Sequence, residues 1–167
     1  MVLITHSHFD HVEGVEEMVE KYGIPVFMHE NARGKLELSD EMCVFLKDQE
    51  KVDLGILNIE VLHTPGHCDD SVCYFVSAKE AEDGKNHLIS GDTLFVEGCG
   101  RAAAKEGSVK ELYKSLERLK KLPGDTIVYP GHNYGSKAKS TIKEELKKNI
   151  YLLCKNFEEF EALRVKK

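Results

Sequence analysis

The chain has 167 residues, with 23 lysines and arginines against 29 aspartates and glutamates, for a formal net charge of −6. That length suits one ordinary domain, and 41% hydrophobic with 31% charged residues excludes a fibrous or disordered chain. A sequence pI near 5.8 argues against a binder of nucleic-acid backbones, and no apolar run approaches the roughly 20 residues that span a bilayer.

In chain order, the β-branched run 2–5 predicts a strand that leads straight into a histidine-rich segment. Val12, Val15, Met18 and Val19 then recur at helical spacing, so a helix is expected over 12–22 with Gly23 as its stop. Residues 25–28 predict a second strand, and the mixed polarity of 30–48 suggests one or two short helices. Alternation over 56–63 predicts a strand ending at Thr64-Pro65-Gly66, and 71–77 is rich in β formers. The charged stretch 79–85 suggests a solvated hairpin loop before a strand at 87–90. Ser108 is placed to cap a helix over 109–121 whose Leu112, Leu116 and Leu119 share one face, and Pro123-Gly124 ends it. Residues 126–129 form the last predicted strand. From 136 onward the pattern is helical, in two segments broken near Asn149, with Ile150, Leu153, Phe157 and Phe160 on an apolar side. No repeat or linker divides the chain, so one domain over 1–167 is expected, with 136–167 as a helical tail.

Five cysteines (Cys43, Cys68, Cys73, Cys99, Cys154) include no CxxC pair, which predicts reduced, packed thiols. The first residues carry no basic region and no long apolar stretch, so the expectation is no signal peptide and a cytoplasmic location.

The eight histidines carry the function. His6-Ser7-His8-Phe9-Asp10-His11 packs four metal-competent side chains into six residues at a predicted strand end. Two apart in extended backbone, His6 and His8 point to one side, while Asp10 and His11 fall where the chain turns into a helix. Imidazole with carboxylate suits zinc, iron or manganese. Further downstream, His67, Asp92 and His132 each follow a β-rich run and a glycine, so each can project from a strand terminus into a shared cleft. His29 reads as packed or supporting, His63 as a candidate support beneath the site, and His87 as solvent-facing.

The ordered set HSHFDH, TPGH, SGDTLF and YPGHNYG resembles the metallo-β-lactamase superfamily, specifically the branch similar to hydroxyacylglutathione hydrolases (glyoxalase II). The resemblance runs from the first residues to about Tyr134. It implies an α/β fold, an αββα sandwich, and two divalent metal ions, zinc first with iron or manganese as alternatives. One ion would be held by His6, His8 and His67, the other by Asp10, His11 and His132, with Asp92 bridging both. A metal-bound hydroxide would then cleave a small-molecule thioester or ester, and Asp10 would also orient the water and take a proton. Arg101 falls where relatives carry a basic residue for the substrate carboxylate, and Tyr134 matches an aromatic of the substrate pocket; Cys99 reads as packing in a tight loop.

Two departures stand beside that resemblance. Ala102-Ala103-Ala104-Lys105 replaces both the aromatic contact of glyoxalase II and the Thr-Asp pair of persulfide dioxygenases. Only 33 residues follow Tyr134, too few for the helical domain of glyoxalase II. The runner-up is a mononuclear iron persulfide dioxygenase using His6, His67 and Asp92. A lactonase is a third choice, and a reading of a different class is an inactive fragment or binding module, because His6 stands almost at the start whereas the family motif follows several strands of the first sheet. An N-terminally truncated sandwich would leave a sheet edge unpaired, favouring aggregation or a homo-oligomer. A start codon placed too late accounts for this most simply; an excised fragment or a partner chain would also do so.

Overall fold

A computed structural model describes residues 1–78, 84–102 and 107–165. In chain order its elements are β1 (Val2–Leu3), α1 (Phe9–Val12), α2 (Val15–Tyr22), β2 (Val26–His29), β3 (Cys43–Leu46), β4 (Lys51–Leu54), β5 (Leu57–His63) and β6 (Val72–Ala78). There follow β7 (His87–Gly91), β8 (Leu94–Phe95), β9 (Gly98–Cys99), α3 (Val109–Leu119), β10 (Ile127–Pro130), β11 (Ser140–Thr141), α4 (Ile142–Lys148) and α5 (Phe157–Val165). Strands β1, β2 and β3 pair in parallel in that order, and a second sheet runs β11-β10-β7-β6-β5-β4.

Period-two alternation sorts the side chains into three apolar layers. On β2, Val26 and Met28 face α2, where they pack with Ile4, Val15 and Ala32. The intervening Phe27 faces the other way, toward Leu46, Val52, Ile59, Val61, Val72 and Tyr74 between the sheets. On β5 and β6, Leu62, Cys73 and Phe75 turn to the far side, against Leu112, Leu116 and Leu119 of α3 and Phe160 of α5. Helix, sheet, sheet and helix therefore stack as an αββα sandwich. The two sheets are pinned at the histidine-rich end, where Tyr74 Oη donates to the Ile4 carbonyl at 2.7 Å and the Val72 amide to that of Thr5 at 2.8 Å.

Most expected elements are present, with differences that have local causes. Ser108 caps α3 by accepting from the Glu111 amide, and Gly23 closes α2 in the left-handed region at φ 58°. The expected helix over 12–22 starts earlier, at Phe9, and is interrupted around Gly14. Within 30–48 only two short 3-10 turns form, and Cys43–Leu46 is a strand because pairing with β2 fixes it there. Strand β4 was also not foreseen; it folds back on β5 through the two-residue turn Gly55-Ile56. In the tail, Ile150 and Leu153 are exposed, contrary to expectation. The segment between α4 and α5 is turn, and it is Tyr151, Leu152 and Cys154 that enter the core. The charged loop foreseen at 79–85 lies mostly outside the described residues, as do Ala103, Ala104 and Lys105. All five cysteines are free, and no described helix is long and apolar enough to cross a membrane.

Helix α4 fastens the loop that carries β8 and β9. Asn149, fully buried, donates its amide to the carbonyls of Gly98 at 2.9 Å and Phe95 at 3.4 Å, and to Glu145 Oε2 at 2.9 Å. Its own Oδ1 accepts from the Tyr151 amide at 3.1 Å. Glu145 Oε2 also accepts from the amide of Glu97, whose φ of 57° is a left-handed conformation that needs such support. Asn149→Ala orphans several of these groups at once, so a loss of about 2–3 kcal/mol is expected in a urea melt.

Candidate metal centre

His6, His8, His67, Asp92 and His132 follow the ends of β1, β5, β7 and β10, and Asp10 and His11 lie in α1. The parallel pairing of β10 with β7 aligns Pro130 with Gly91, and the Gly131 amide donates to the Gly91 carbonyl at 2.9 Å. Asp92 and His132 thereby leave neighbouring strand ends side by side. Gly131 permits this approach: a Cβ there would sit 2.6 Å from Asp92 Oδ1 and 2.8 Å from His11 Cε1.

All seven sequence-predicted metal residues converge. Donor atoms of His6, His8 and His67 lie within 4.8 Å of one another, as do those of His6, His11 and Asp92 and those of Asp10, His11 and His132. His8 Nδ1 faces His67 Nε2 at 2.9 Å, and His11 Nε2 faces His132 Nε2 at 3.2 Å. Asp92 reaches both groups: Oδ1 is 3.4 Å from His11, and Oδ2 is 3.7 Å from His67 and 3.5 Å from His132. Asp10, more exposed than the rest, places Oδ2 3.4 Å from His132 and 3.9 Å from His11.

These contacts fit a cation better than they fit one another. Ligands about 2.0–2.1 Å from a tetrahedral zinc sit about 3.3 Å apart, close to the spacings found here. The buried His6 Nε2 has no hydrogen-bond partner among the described residues, a costly arrangement unless an ion fills it. Burial, with the neighbouring His11 and His67, drives the His6 pKa down to about 3, so this imidazole is a neutral donor at pH 7. Burial likewise lowers that of His67. The hydrogen bond with Asp92 raises that of His11. Burial opposes ionisation of Asp92, yet the hydrogen bond and charge of His11, with His6 and His132, hold its carboxyl below the ordinary range. The outer nitrogens are anchored. His67 Nδ1 donates to the Arg101 carbonyl at 2.6 Å, and His6 Nδ1 lies 3.2 Å from Thr5 Oγ1, leaving each Nε2 turned inward.

Beside the donors lies a cleft of about 500 Å³ lined by His67, Asp92, Phe95, Val96, Arg101 and Tyr134, among others. Tyr134 stacks on His132 with centroids 4.9 Å apart and meets Phe95 edge-on. Arg101 and Tyr134 thus line one cleft. The far wall was not foreseen. It includes Arg164 of α5, whose guanidinium lies 5.4 Å from the Tyr151 ring centre, a placement that depends on how the tail folds back.

Among the other histidines, His29 is buried and stacks flat on His63 at 3.8 Å, and His63 Nε2 lies 2.8 Å from the Asp69 carbonyl, two residues beyond His67. His87 is half-buried beside Tyr129 rather than solvent-facing. Cys68 also comes within 4.8 Å of the His6, His8 and His67 donors, but burial pushes its thiol up to about 12, so it stays protonated against Ser71 Oγ at 3.1 Å.

A profile of the metallo-beta-lactamase superfamily matches residues 2–132. The chain is similar to a hydroxyacylglutathione hydrolase of Hahella chejuensis, 41% identical over 133 residues that make up 80% of this chain and 48% of that protein. It is also similar to a probable polyketide biosynthesis zinc-dependent hydrolase, BaeB, of Bacillus velezensis, 32% identical over 167 residues, 99% of this chain and 71% of that one. Among solved structures, ETHE1 from Myxococcus xanthus superimposes with a TM-score of 0.82 at 33% identity, covering 98% of this chain and 67% of that one. The chain spans about half the length of the Hahella chejuensis relative.

Proposed function

From the premise that this chain belongs to the metallo-β-lactamase superfamily, we propose that it is a metal-dependent hydrolase of the glyoxalase II-like type, cleaving a small-molecule thioester at a two-metal centre. The observation that carries this reading is Asp92, whose two carboxylate oxygens face the His67 and His11 sides of one continuous donor set. When bound, two divalent cations there polarise a carbonyl and lower the pKa of water toward neutrality.

The chain's own residues supply the rest. His6, His8 and His67 would hold one ion, Asp10, His11 and His132 the other, and Asp92 would serve both. Asp10 is the exposed member, and with Oδ2 turned toward His132 and His11 its second carboxylate oxygen is left to orient a water and accept its proton. Arg101, in the cleft wall, offers a two-pronged donor to a carboxylate on the substrate, and Tyr134 offers a ring face held by His132.

A single-iron persulfide dioxygenase built on His6, His67 and Asp92 is the second reading, because the same donor set contains its three ligands; against it stands the missing Thr-Asp pair after Arg101. The two readings separate in one experiment. Protein purified without chelator should carry about two metal equivalents and hydrolyse S-lactoylglutathione or a simpler thioester equally fast with oxygen removed. One equivalent of iron, with turnover that stops without oxygen, would overturn the hydrolase. Arg101→Met is expected to raise KM about tenfold for a carboxylate-bearing thioester with kcat nearly unchanged, and to leave a neutral thioester unaffected.

A further inference from the structure

Asp70 is 1% exposed, an expensive place for a carboxylate. It is not among the metal donors, yet it lies between the two segments that carry the three-histidine half of the centre. Its Oδ2 accepts from the backbone amide of Ser7, the residue between His6 and His8, at 2.8 Å. Three residues back along its own turn stands His67. From the other side, Lys35 Nζ donates to Asp70 Oδ1 at 3.1 Å and also pairs with Asp69. The segment that carries Lys35 is itself tied down, because the Asn31 side-chain amide donates to the Asp69 carbonyl at 3.0 Å.

One buried carboxylate thus fixes the distance between residues 6–8 and the His67 turn, and one lysine balances its charge from a third segment. No equivalent contact from Asp70 reaches Asp10, His11 or His132. We propose that Asp70, balanced by Lys35, is a positioning residue that sets the geometry of the His6, His8 and His67 group and so governs the affinity of that half of the centre. This rests on the two-metal reading above.

The distances motivate a graded set of variants. Asp70→Ala removes the acceptor for Ser7 and leaves its amide orphaned. Asp70→Asn keeps an oxygen for Ser7 but loses the attraction to Lys35. Lys35→Met keeps the acceptor and strands the charge. The test is zinc titration of the metal-free protein against a chromophoric chelator, with bound equivalents counted by elemental analysis and thermal melts taken without metal. His8→Ala and His132→Ala serve as references for losing one group or the other.

Asp70→Ala is expected to weaken one of two zinc equivalents by roughly 10- to 100-fold while the other keeps its parent affinity, reproducing His8→Ala rather than His132→Ala. Asp70→Asn should fall between Asp70→Ala and the parent, and Lys35→Met should weaken the same equivalent. The proposal is overturned if Asp70→Ala binds both equivalents like the parent, or if both weaken together in step with a lower melting temperature. If Asp70→Ala does not fold, Lys35→Met decides: parent-like binding of both equivalents overturns the proposal. A parent chain that binds no zinc would instead overturn the two-metal reading beneath it.

Discussion

Asp92→Asn is expected to lower kcat/KM on a thioester by roughly a thousand-fold, with the melting temperature of the metal-free protein changed by only a few degrees. The carboxylate is nearly enclosed, 10% exposed, and stands within 3.7 Å of nitrogens from His67, His132 and His11. Asparagine fills the same volume but carries no charge, and it must turn an N–H pair toward part of the donor set. The half-centres would then lose their common anion, and a cation facing His67 or His132 would meet an amide donor. The outcome is read as steady-state kinetics alongside metal content: both activity and bound equivalents should fall. Activity within tenfold of the parent would mean that Asp92 is not shared between the two groups.

Removing the metals should lower the melting temperature by on the order of 10 °C at pH 7, since a site occupied a thousand-fold above its dissociation constant contributes about 4 kcal/mol. Acid should then act on the stripped protein in a defined window. His6 titrates near 3 in the folded chain against 6.5 unfolded, and burial lowers His67 in the same direction. Between those values the unfolded chain binds protons that the folded chain refuses, so the contribution of these imidazoles is intact above pH 6.5 and is lost as pH falls toward 3. His11, raised through its bond to Asp92, works oppositely: its contribution is present below 6.5 and is lost as pH rises through its folded value. The His6 shift is the large one of the set, so urea midpoints of the metal-free protein should drop from pH 7 to pH 5. Midpoints that rise over that interval would contradict the buried, neutral state of His6.

The parts of the molecule legible in sequence are those written in local chemistry. Four donors in six residues, and glycines beside His67, Asp92 and His132, announced the centre because metal ligation needs few residue types and strand ends that can turn sharply. The αββα layering followed from the family resemblance, and its three apolar seams could be traced afterward along β2, β5 and β6. Strand β3 was missed because a four-residue run acquires its structure from β2, a neighbour distant in the chain. Asp70 and Arg164 were missed for the same reason. An aspartate in a turn and an arginine near a helix end carry no local mark of being buried against Ser7 or placed in a cleft wall. Ile150 and Leu153 misled because an apolar residue in a helical pattern need not face inward once the segment forms turns instead.

The donors that meet at the centre come from positions as far apart as residue 6 and residue 132. Closing so much chain into one point is entropically costly and is completed only when β10 has docked beside β7. Before that step His132 is missing, and the Asp10 and His11 side of the donor set is incomplete. A metal held by the full donor set would therefore act as a clasp on the finished molecule: its grip would oppose opening, while the rate of closing the last donor is left to the pairing of β10 with β7.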